Sequence, residues 1–504
     1  MVGFLNTKQE AQYGVERTFD PQLRGQEGLI NAVSDPHGGQ IVTGEQTVID
    51  PKDGDTIVLT IDPFIQKEVE NILEAAVKKY AADSAQAIVM DPYTGRILAM
   101  ANAPLFERNS YAAVFSKVPF FVPPEKRNTI VVEIMNPVTN ARILKDYIDD
   151  VFLPEKRALL PEKVRASITE AERLYDLKDL ARYYYYIGEN NRYEIFPTTI
   201  PNVWLKFANI IGVGAYLNRS IQEIYEPGSV MKAVTMAIAL DQGEVTPEDT
   251  YNDTGPVQVD EFTIKNALLT YYGKVTMTNC LEFSINTCMT SVSAKLGKKL
   301  LSTERARFGF GKITGIELED ELPGEVKPWK VWSNSLLATT AFGQGLTVTP
   351  LQMITSWTAL ANGGKLMKPE IIDSIIHHDG TVEKNEPRVL DQVITPETSD
   401  TITSMLVSSA KVGFAKSGKP QYYKIAGKTG TSQIAGPGGR YETGTGSTIG
   451  TYMGYAPPIH PKFLVLVKFD RSRDQFGSYT AAPAFKDITS FLFRYYGMPP
   501  DDEQ

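Results

Sequence analysis

Histidine is scarce in this chain: only four are present among 504 residues, at positions 37, 377, 378 and 460. None of them falls in the spacing of a nucleophile elbow or a metal-binding motif, which argues against a Ser-His-Asp hydrolase and a zinc peptidase. The pair His377-His378 precedes Asp379-Gly380, a pattern typical of a solvated hairpin tip. We therefore expect no metal and no cofactor, and any nucleophilic chemistry must work without histidine.

Cysteine is scarcer still, with only Cys280 and Cys288. One continuous helix through both would place them on one face but too far apart to form a disulfide. If a turn separates them, the sequence does not fix the distance between them. We expect two free thiols, which say little about the cellular compartment.

The chain also lacks an excess of positive charge and a long apolar run. Its formal net charge of −9 argues against a nucleic-acid partner, because attraction to phosphates requires a basic surface. No stretch approaches the roughly 20 apolar residues of a membrane helix, and the region after Met1 has no signal-peptide pattern. The opening residues 1–6 resemble the interior of a domain, so we expect either a soluble protein or a fragment.

What is present is the composition of an ordinary folded protein. A length of 504 residues predicts two or three structural units. A content of 42% hydrophobic and 22% charged residues excludes wholesale disorder. Residues 1–60 contain short apolar runs, such as Gln40-Ile41-Val42 and Thr56-Ile57-Val58-Leu59, which predict the strands of an irregular N-terminal module.

Both ends of the remaining chain predict strands that pair. Asp62-Pro63 is typical of an N-cap followed by the first residue of an amphipathic helix. The turn Asp91-Pro92-Tyr93-Thr94-Gly95 separates the two strands of a predicted hairpin. Strands near both termini with helices between them predict an α/β fold, in which one antiparallel sheet is flanked by helices. The predicted strands are 87–90, 96–100, 448–455 and 463–469, and a helix from 485 to 495 follows the last of them.

The segment from 113 to 203 differs in composition from its surroundings. It is charged, it is interrupted by Pro123-Pro124 and by two later Leu-Pro pairs, and it contains four consecutive tyrosines at 183–186. Ser167-Ile168-Thr169-Glu170 has the spacing of a capping box and predicts a helix that continues to Leu180. We interpret the segment as a mostly helical insert that packs beside the main domain, away from the cleft at Ser229.

The first chemical motif is Ser229 with Lys232, three residues later. Residues at this spacing share one face of a helix, so the lysine can lie within hydrogen-bonding reach of the serine. Pro227-Gly228 places Ser229 in the first turn, where free N–H groups and the helix dipole favour a developing negative charge. A lysine can act as a base only if burial or a second cation, here Lys428, destabilises its ammonium group. In isolation, the same pattern is more often a helix start with a surface lysine.

A second motif is Ser284-Ile285-Asn286. On a regular helix the side chains of Ser284 and Asn286 would diverge, so we expect a turn between helices that directs both into one cleft. Alone, this pattern usually indicates a cap or a turn.

The third motif, Lys428-Thr429-Gly430-Thr431, predicts a strand with Thr429 and Thr431 on one side and Lys428 on the other. Gly430 would let a substrate backbone approach and pair with the strand edge. A phosphate-binding loop is the rival interpretation, and it fails because Tyr422 occupies the position that requires glycine.

In this order the three motifs resemble the S-x-x-K, S-x-N and K-T-G set of penicillin-binding proteins and serine β-lactamases. The flanking sequences resemble class B penicillin-binding proteins of the cell-division or elongation type. Residues 12–16 and 23–25 resemble the last part of that family's non-catalytic pedestal module. The other stretches that carry the resemblance are 90–100, 218–219, 225–229, 308–311, 314–316, 323–325, 342–345, 349–352, 361–364 and 482–485.

The resemblance implies a fold and a domain organisation. The fold would be the serine β-lactamase-like transpeptidase fold. Residues 1–60 would form part of the pedestal, which is a dimerisation-type module, and residues 61–504 would form the transpeptidase domain, interrupted by the helical insert at 113–203.

The resemblance also implies a role for each catalytic residue. Ser229 would be the acylated nucleophile and Lys232 its base. Ser284 would relay the proton to the leaving amine, and Asn286 would hold the substrate amide. Lys428 would tune the Ser284 hydroxyl.

Substrate binding would fall to the third motif. With Lys428, the residues Thr429, Gly430 and Thr431 would bind the carboxylate of the substrate or of a β-lactam. The backbone N–H groups of Ser229 and Thr431 would form the oxyanion hole.

The implied function is that of a D,D-transpeptidase, which cross-links peptidoglycan stem peptides through an acyl-enzyme and is acylated by β-lactams. Its further partners would be a glycosyltransferase and the division complex. A D,D-carboxypeptidase or a β-lactamase, in which water replaces the acceptor amine, is the alternative among enzymes. The acidic stretch 317–322 is the only candidate to activate that water, and we interpret it as a solvated turn. A non-catalytic β-lactam sensor or division scaffold is the alternative from another class.

Two departures from the family pattern are visible. The cytoplasmic tail, the membrane anchor and the first pedestal strands have no counterpart in this sequence. About a hundred residues separate Ser110 from Asn218, where family members usually have a short loop. We expect a protein that works on the extracytoplasmic face of the membrane and is held there by residues outside this sequence.

Overall fold

A computed structural model describes residues 2–31, 47–105, 115–135, 142–187, 191–208, 217–434, 441–442, 444 and 446–501. The strand predicted at Gln40-Ile41-Val42 and the residue His37 lie outside the described residues. No helix in the described part of the chain combines the length and the apolar character that crossing a bilayer requires.

The N-terminal segment consists of short elements that dock on the rest of the chain. The predicted strand at Thr56–Leu59 is confirmed, and it pairs antiparallel with Ile372–Ile376 of the main domain. The assignment of this segment to a pedestal module stays a prediction. Its elements are β1 (Phe4–Leu5), β2 (Ala11–Gln12), α1 (Gly14–Thr18), α2 (Asp20–Leu23), β3 (Leu29–Asn31), β4 (Thr47–Ile49) and β5 (Thr56–Leu59).

The acidic stretch 317–322 contains the predicted turn, at residues 319–320, but its glutamate carboxylates form specific contacts instead of being solvated. Glu319 accepts hydrogen bonds from Gly14 N and from Thr18 Oγ1, both at 2.6 Å. Glu317 forms an ion pair with Lys368, and Glu321 accepts bonds from the backbone of the preceding turn. These carboxylates tie the N-terminal segment and neighbouring loops to the main domain.

The helix and hairpin predicted after residue 60 are confirmed. Asp62 caps the helix, accepting hydrogen bonds from Phe64 N at 2.9 Å and Ile65 N at 3.1 Å, with Pro63 at the first helical position. The following two strands pair antiparallel across a tight turn. These elements are α3 (Pro63–Tyr80), β6 (Ser84–Met90) and β7 (Ile97–Ala103).

The insert is not mostly helical: its described strands form a six-stranded antiparallel sheet, in the order β10-β9-β11-β12-β13-β8. The helical prediction gave weight to prolines and a capping-box pattern, but β-branched and aromatic runs favour strands. Alternate tyrosines, Tyr183 and Tyr185, pack with Val132 and Ile195 into a separate core. The elements are β8 (Lys117–Phe121), β9 (Val131–Met135), β10 (Arg142–Tyr147), α4 (Ile148–Phe152), α5 (Pro154–Arg157), α6 (Glu162–Glu172), α7 (Leu177–Leu180), β11 (Ala181–Ile187), β12 (Asn191–Pro197) and β13 (Val203–Phe207).

The predicted helix of the insert exists with different bounds. It begins at Glu162 and ends at Glu172, so Ser167 lies inside it and does not cap it. A separate short helix follows, and its cap is Asp176, which accepts a hydrogen bond from Lys178 N at 2.9 Å.

The middle of the chain forms the helical half of the main domain. Helix α9 is almost entirely buried and lies at the centre of the larger hydrophobic core. The elements are α8 (Arg219–Gln222), α9 (Met231–Asp241), β14 (Thr250–Asp253), β15 (Val257–Val259), β16 (Phe262–Ile264), β17 (Gly273–Thr276), α10 (Met277–Glu282), α11 (Asn286–Arg307, interrupted at Gly297), α12 (Asn334–Thr340), α13 (Pro350–Ala361), β18 (Lys365–Met367), β19 (Ile372–Ile376), β20 (Val382–Lys384), β21 (Val389–Gln392) and α14 (Pro396–Val412).

The C-terminal strands complete the central sheet, as predicted. Its described strands run in the order β22-β23-β24-β6-β7, and every pair is antiparallel. One face packs on the core around α9 and α13, and the other packs on α3 and the last helix. The final elements are β22 (Ala426–Gln433), β23 (Thr448–Ala456), β24 (Phe463–Asp470) and α15 (Ala481–Tyr495).

Candidate active site

The turn that carries Ser229 is wedged between two backbone segments. Gly228 has a φ of +60° and begins a 3₁₀ turn that leads directly into α9. A Cβ on Gly228 would lie 2.6 Å from the carbonyl oxygen of Thr431, and one on Gly343 would lie 2.1 Å from the Gly228 carbonyl oxygen. Only glycine fits at these two contacts, so the position of Ser229 is fixed from both sides.

Lys232 is fully buried on α9 and reaches the second motif. Its Nζ donates to the Ser284 carbonyl oxygen at 2.6 Å, to Ser284 Oγ at 3.1 Å and to Asn286 Oδ1 at 2.7 Å. No hydrogen bond joins Lys232 to Ser229 in the part of the chain that the structure describes. The structure therefore brings the first and second motifs together through the lysine.

Lys428 is also fully buried and approaches the same hydroxyl from the central sheet. Its Nζ donates to Ser284 Oγ at 2.9 Å and to the carbonyl oxygen of Thr429 at 3.1 Å. The Ser284 hydroxyl thus lies between two lysine side chains, one from the helical half and one from the sheet.

The environment of both lysines disfavours the ammonium form. Burial lowers the pKa of Lys428 from 10.5 to about 7. Burial also lowers the pKa of Lys232 far below its ordinary value, and the charge of Lys428 lowers it further. No carboxylate of the described residues forms an ion pair with either lysine. Lys428 can therefore give up or accept a proton near neutral pH. Lys232 gives up its proton more readily than an exposed lysine does.

The second motif lies on a turn between α10 and α11, as predicted. Ser284 has a φ of +52°, and the turn separates two helices that would otherwise be continuous. The amide of Asn286 is engaged on both sides, since its Oδ1 accepts from Lys232 and its Nδ2 donates to the Lys265 carbonyl oxygen at 2.9 Å.

The prediction of free thiols is wrong: Cys280 and Cys288 form a disulfide. Eight residues of straight helix would separate their Cα atoms by about 12 Å, but the turn at Ser284 reduces this distance to 6.1 Å. The bond closes a small loop around the second motif, and both sulfur-bearing side chains are fully buried.

A buried carboxylate that the sequence did not reveal supports this turn. Asp253 accepts hydrogen bonds from Thr287 Oγ1 at 2.6 Å, from Asn266 Nδ2 at 3.0 Å and from Tyr272 N at 3.1 Å. Asn266 Oδ1 in turn accepts from Asn286 N at 3.0 Å. Asp253 ends a short strand far from the motifs in sequence, so no local pattern marks it.

The third motif lies on β22, at one edge of the described central sheet, and confirms the strand prediction. The structure gives Gly430 a different neighbour from the one expected. A Cβ at this position would lie 3.0 Å from the Pro227 carbonyl oxygen and 3.1 Å from Val230 Cγ1. Gly430 therefore lets the sheet approach the nucleophile turn. Thr431 Oγ1 accepts a hydrogen bond from Gly477 N at 3.0 Å.

Glu226 and Tyr441 are further residues at the site to which the sequence assigned no role. The Tyr441 hydroxyl lies 3.1 and 3.2 Å from the two carboxylate oxygens of Glu226. Glu226 Oε1 also accepts from Gly345 N at 2.7 Å. Glu226 is three residues before Ser229, in the stretch that carried the family resemblance, which was the only available signal.

Comparison with protein families gives one match that covers most of the chain. The family described as the penicillin-binding protein transpeptidase domain matches residues 188–490. The match includes all three motifs and begins near the end of the insert.

Curated relatives are similar along the whole chain. Stage V sporulation protein D of Bacillus subtilis is 26% identical over 511 residues, covering 100% of this chain and 64% of the relative. Peptidoglycan D,D-transpeptidase FtsI of Escherichia coli is 25% identical over 505 residues, covering 99% and 66%. The chain thus spans about two thirds of the length of these relatives.

Solved structures share the fold. Penicillin-binding protein 3 of Mycobacterium tuberculosis, crystallised in complex with ampicillin, superposes with a TM-score of 0.71 at 22% identity. The match covers 100% of this chain and 88% of that one. At this identity the likeness establishes the architecture and leaves the chemistry to be argued from the site.

Proposed function

The chain belongs to the penicillin-binding protein transpeptidase family, and from this premise we propose that it is a peptidoglycan D,D-transpeptidase. Its fold is the penicillin-binding transpeptidase fold that the motifs implied. One observation carries the proposal. The Ser284 hydroxyl lies between Nζ of Lys232 and Nζ of Lys428, and both lysines are buried without an ion-paired carboxylate among the described residues.

This arrangement can perform acyl transfer without histidine. Ser229 Oγ attacks the carbonyl carbon of the penultimate D-alanine residue, and its proton passes to neutral Lys232. The tetrahedral intermediate collapses, the C–N bond breaks, and the leaving amine takes a proton through the Ser284 hydroxyl. An acceptor amine then attacks the ester, loses a proton to the same groups and restores the Ser229 hydroxyl.

The edge of the central sheet supports the assignment of an oxyanion site and of a peptide-binding site. The Thr431 carbonyl oxygen lies against Gly228, on the side of β22 away from β23. Paired strand residues exchange both of their backbone hydrogen bonds, so the Thr431 N–H points to the same side, toward the nucleophile turn. Together with Ser229 N it is suited to bind an oxyanion. The rest of this edge is suited to pair with an extended stem peptide, whose carboxylate Lys428, Thr429 and Thr431 would bind.

Hydrolysis is the competing outcome for the acyl-enzyme, and the structure does not favour it. A class A β-lactamase uses a carboxylate to activate water beside the ester. The acidic stretch 317–322 is engaged elsewhere, with Glu319 bound to Gly14 and Thr18 and Glu317 paired with Lys368. We therefore expect the penicilloyl-enzyme to persist for many minutes.

Acylation by a fluorescent penicillin tests the proposal directly. Intact-protein mass spectrometry is expected to show one covalent adduct on the wild type and none on Ser229→Ala. Following the adduct with time separates the enzyme classes, because rapid multiple-turnover hydrolysis would identify a β-lactamase. A wild type that forms no adduct at all would favour a non-catalytic scaffold and overturn the proposal.

We further propose that the protein works on the extracytoplasmic face of the membrane. Residues 1–60 would belong to the pedestal, and a glycosyltransferase and the division complex would be its partners. Support comes from the similarity to Stage V sporulation protein D and FtsI along the whole chain. A fluorescent fusion to the complete gene product, tested for protease access from outside the cell, is expected to show exposure. Protection from the protease would contradict this placement.

A further inference from the structure

The insert, whose role is unassigned, touches the segment that follows β22. Lys145 on β10 lies opposite Glu133 on β9, and its Nζ is 3.6 Å from Glu133 Oε1. The same Nζ is 3.5 Å from Glu442 Oε1, beyond the end of β22. The side chains of Lys145, Glu133 and Glu442 are only 17%, 10% and 13% exposed, so this ion cluster is shielded from water and salt.

Glu442 is fixed from the opposite side by the central sheet. Arg471, directly after β24, donates to both of its carboxylate oxygens, at 2.7 and 2.9 Å. Burial raises the pKa of Glu442, but hydrogen bonds and charges from Arg471 and Lys145 outweigh this and hold the pKa below its usual value. The carboxylate is therefore charged at neutral pH. It lies between Lys145 of the insert and Arg471 of the sheet, so that positive and negative charges alternate across the boundary.

The residue before Glu442 makes the connection to the nucleophile. The Tyr441 hydroxyl holds the Glu226 carboxylate, which also accepts from Gly345 N at 2.7 Å. Two residues earlier in the same loop, the Gly343 carbonyl oxygen accepts from Gly228 N at 3.0 Å. Gly228 is the neighbour of Ser229. A continuous series of contacts thus runs from the insert to the nucleophile turn.

We propose that the insert positions the nucleophile turn, acting through Lys145, Glu442, Tyr441 and Glu226. These are positioning residues, since each acts on Ser229 through the backbone of the turn and not by contact with substrate. The proposal rests on the proposed acyl-transfer function for its kinetic readout. The expectation that the insert packs beside the main domain, away from the cleft, stays a prediction, since Lys145 contacts Glu442 and not a residue of the three motifs.

The kinetic test separates positioning from binding. In Lys145→Met the cation that joins Glu133 of the insert to Glu442 is lost, and we expect the first-order rate constant of acylation by penicillin to fall about 3- to 10-fold. The dissociation constant of the initial complex should change little, because Lys428 and Thr429 stay in place. Lys145→Arg keeps the positive charge, so its acylation rate should be close to that of the wild type. Tyr441→Phe should lower the rate similarly, and the double variant should fall by less than the product of the two single effects.

A matched control removes an ion pair inside the insert that does not reach the site. Arg127 Nη1 lies 2.8 Å from Asp149 Oδ1, and Arg127→Met should leave the acylation rate unchanged. Equal losses in Arg127→Met and Lys145→Met would show that any disturbance of the insert has this effect, and would overturn the proposal.

Amide hydrogen exchange tests the same proposal without catalysis. Exchange at Gly345 and Gly228 should be faster in Lys145→Met and Tyr441→Phe than in the wild type, and unchanged in Arg127→Met. If the wild type is acylated and Lys145→Met matches it in both rate and exchange, the inference fails while the proposed function stands. If the wild type is not acylated, the proposed function fails and exchange alone decides the inference.

Discussion

Two regions of the main domain bury lysine side chains completely, with opposite surroundings. In the cleft, Lys232 and Lys428 donate to a hydroxyl, an amide and backbone carbonyls. Between β24, β6 and α8, Lys468 forms an ion pair with Asp470, donates to Gln86 Oε1 at 2.9 Å and lies 3.8 Å from Glu223. Burial is common to both regions, so burial alone does not make a base. The difference is the absence of an ion-paired carboxylate from the described surroundings of the cleft lysines.

The second region has the character of a structural network. Burial raises the pKa of Asp470, but the charges of Lys468 and Arg219 outweigh it and hold the pKa below its usual value. Ser84 Oγ donates to Asp470 and accepts from Arg219 at 2.6 Å. Complementary charges compensate one another here, whereas the cleft places two lysine side chains around one hydroxyl with no ion-paired carboxylate among the described residues.

The largest expected effect is on chemistry in the cleft. Lys232→Arg keeps a positive charge but cannot readily lose a proton. We expect the acylation rate to fall by about 10³-fold, with a nearly unchanged melting temperature. Stopped-flow measurement with a fluorescent penicillin checks the rate, and Lys411→Arg, at an exposed position, is the matched control. Acylation at a near wild-type rate would refute the role of base for Lys232.

The next effect concerns stability in the structural network. Lys468→Met leaves Asp470 buried without its main partner, so we expect the free energy of unfolding to fall by about 3–5 kcal/mol. Lys428→Met removes a buried charge that has no ion-pair partner and should not lower the free energy of unfolding. Denaturant titration of both variants provides the measurement. If the two variants lose equal stability, the two regions do not differ as the contacts suggest.

Loss of the disulfide is expected to have a smaller effect on stability. The disulfide stabilises the turn beside the cleft by a covalent bond, whereas the structural network is stabilised by ion pairs. Replacing Cys280 and Cys288 by serine should lower the free energy of unfolding by about 2–3 kcal/mol, as expected for a short closed loop. Thermal unfolding of the variant and of reduced wild type should give similar shifts. A shift in one and not in the other would show that the serines, and not the lost bond, are responsible.

The last expected effect, which is the smallest per pH unit, is a dependence of stability on pH. The pKa of Lys428 is about 7 in the folded protein, against an ordinary value of 10.5. Between these values the unfolded chain binds a proton that the folded protein lacks, so raising the pH stabilises the folded state by at most about 1.4 kcal/mol per pH unit. Below pH 7 both states are protonated and the gain is lost. Unfolding curves from pH 7 to 10 should show a weaker rise for Lys428→Met, and identical slopes would contradict the lowered pKa.

Local patterns were sufficient to predict much of the main domain and its motifs. The cap at Asp62, the hairpin around Asp91 and the strand at Lys428 each depend on neighbours in sequence, and each was confirmed. The turn at Ser284 followed from the direction of two side chains. These features lie within reach of propensity and periodicity.

The features that sequence reasoning missed depend on contacts between distant segments. Asp253 supports Asn286 through a third residue, and Tyr441 reaches Glu226 across about 200 positions. Predicting the disulfide required the distance between Cys280 and Cys288, and this distance depends on the geometry of the turn at Ser284. The prediction for the insert was wrong for another reason. It gave more weight to the proline and charge content than to the strand preference of the tyrosines, whose side chains pack against Val132 and Ile195 in the sheet.

The first and last strands of the insert lie side by side, and this has an evolutionary consequence. Strand β8 pairs antiparallel with β13, and Ala208 N donates to the Ser116 carbonyl oxygen at 2.8 Å. The chain therefore enters and leaves this guest element at neighbouring points, with a separate hydrophobic core inside it. A domain can gain, shorten or replace an insertion of this kind without a change in the path of the rest of its chain. Lineages can therefore vary its sequence and size independently of the catalytic host, subject only to the few contacts that cross the boundary.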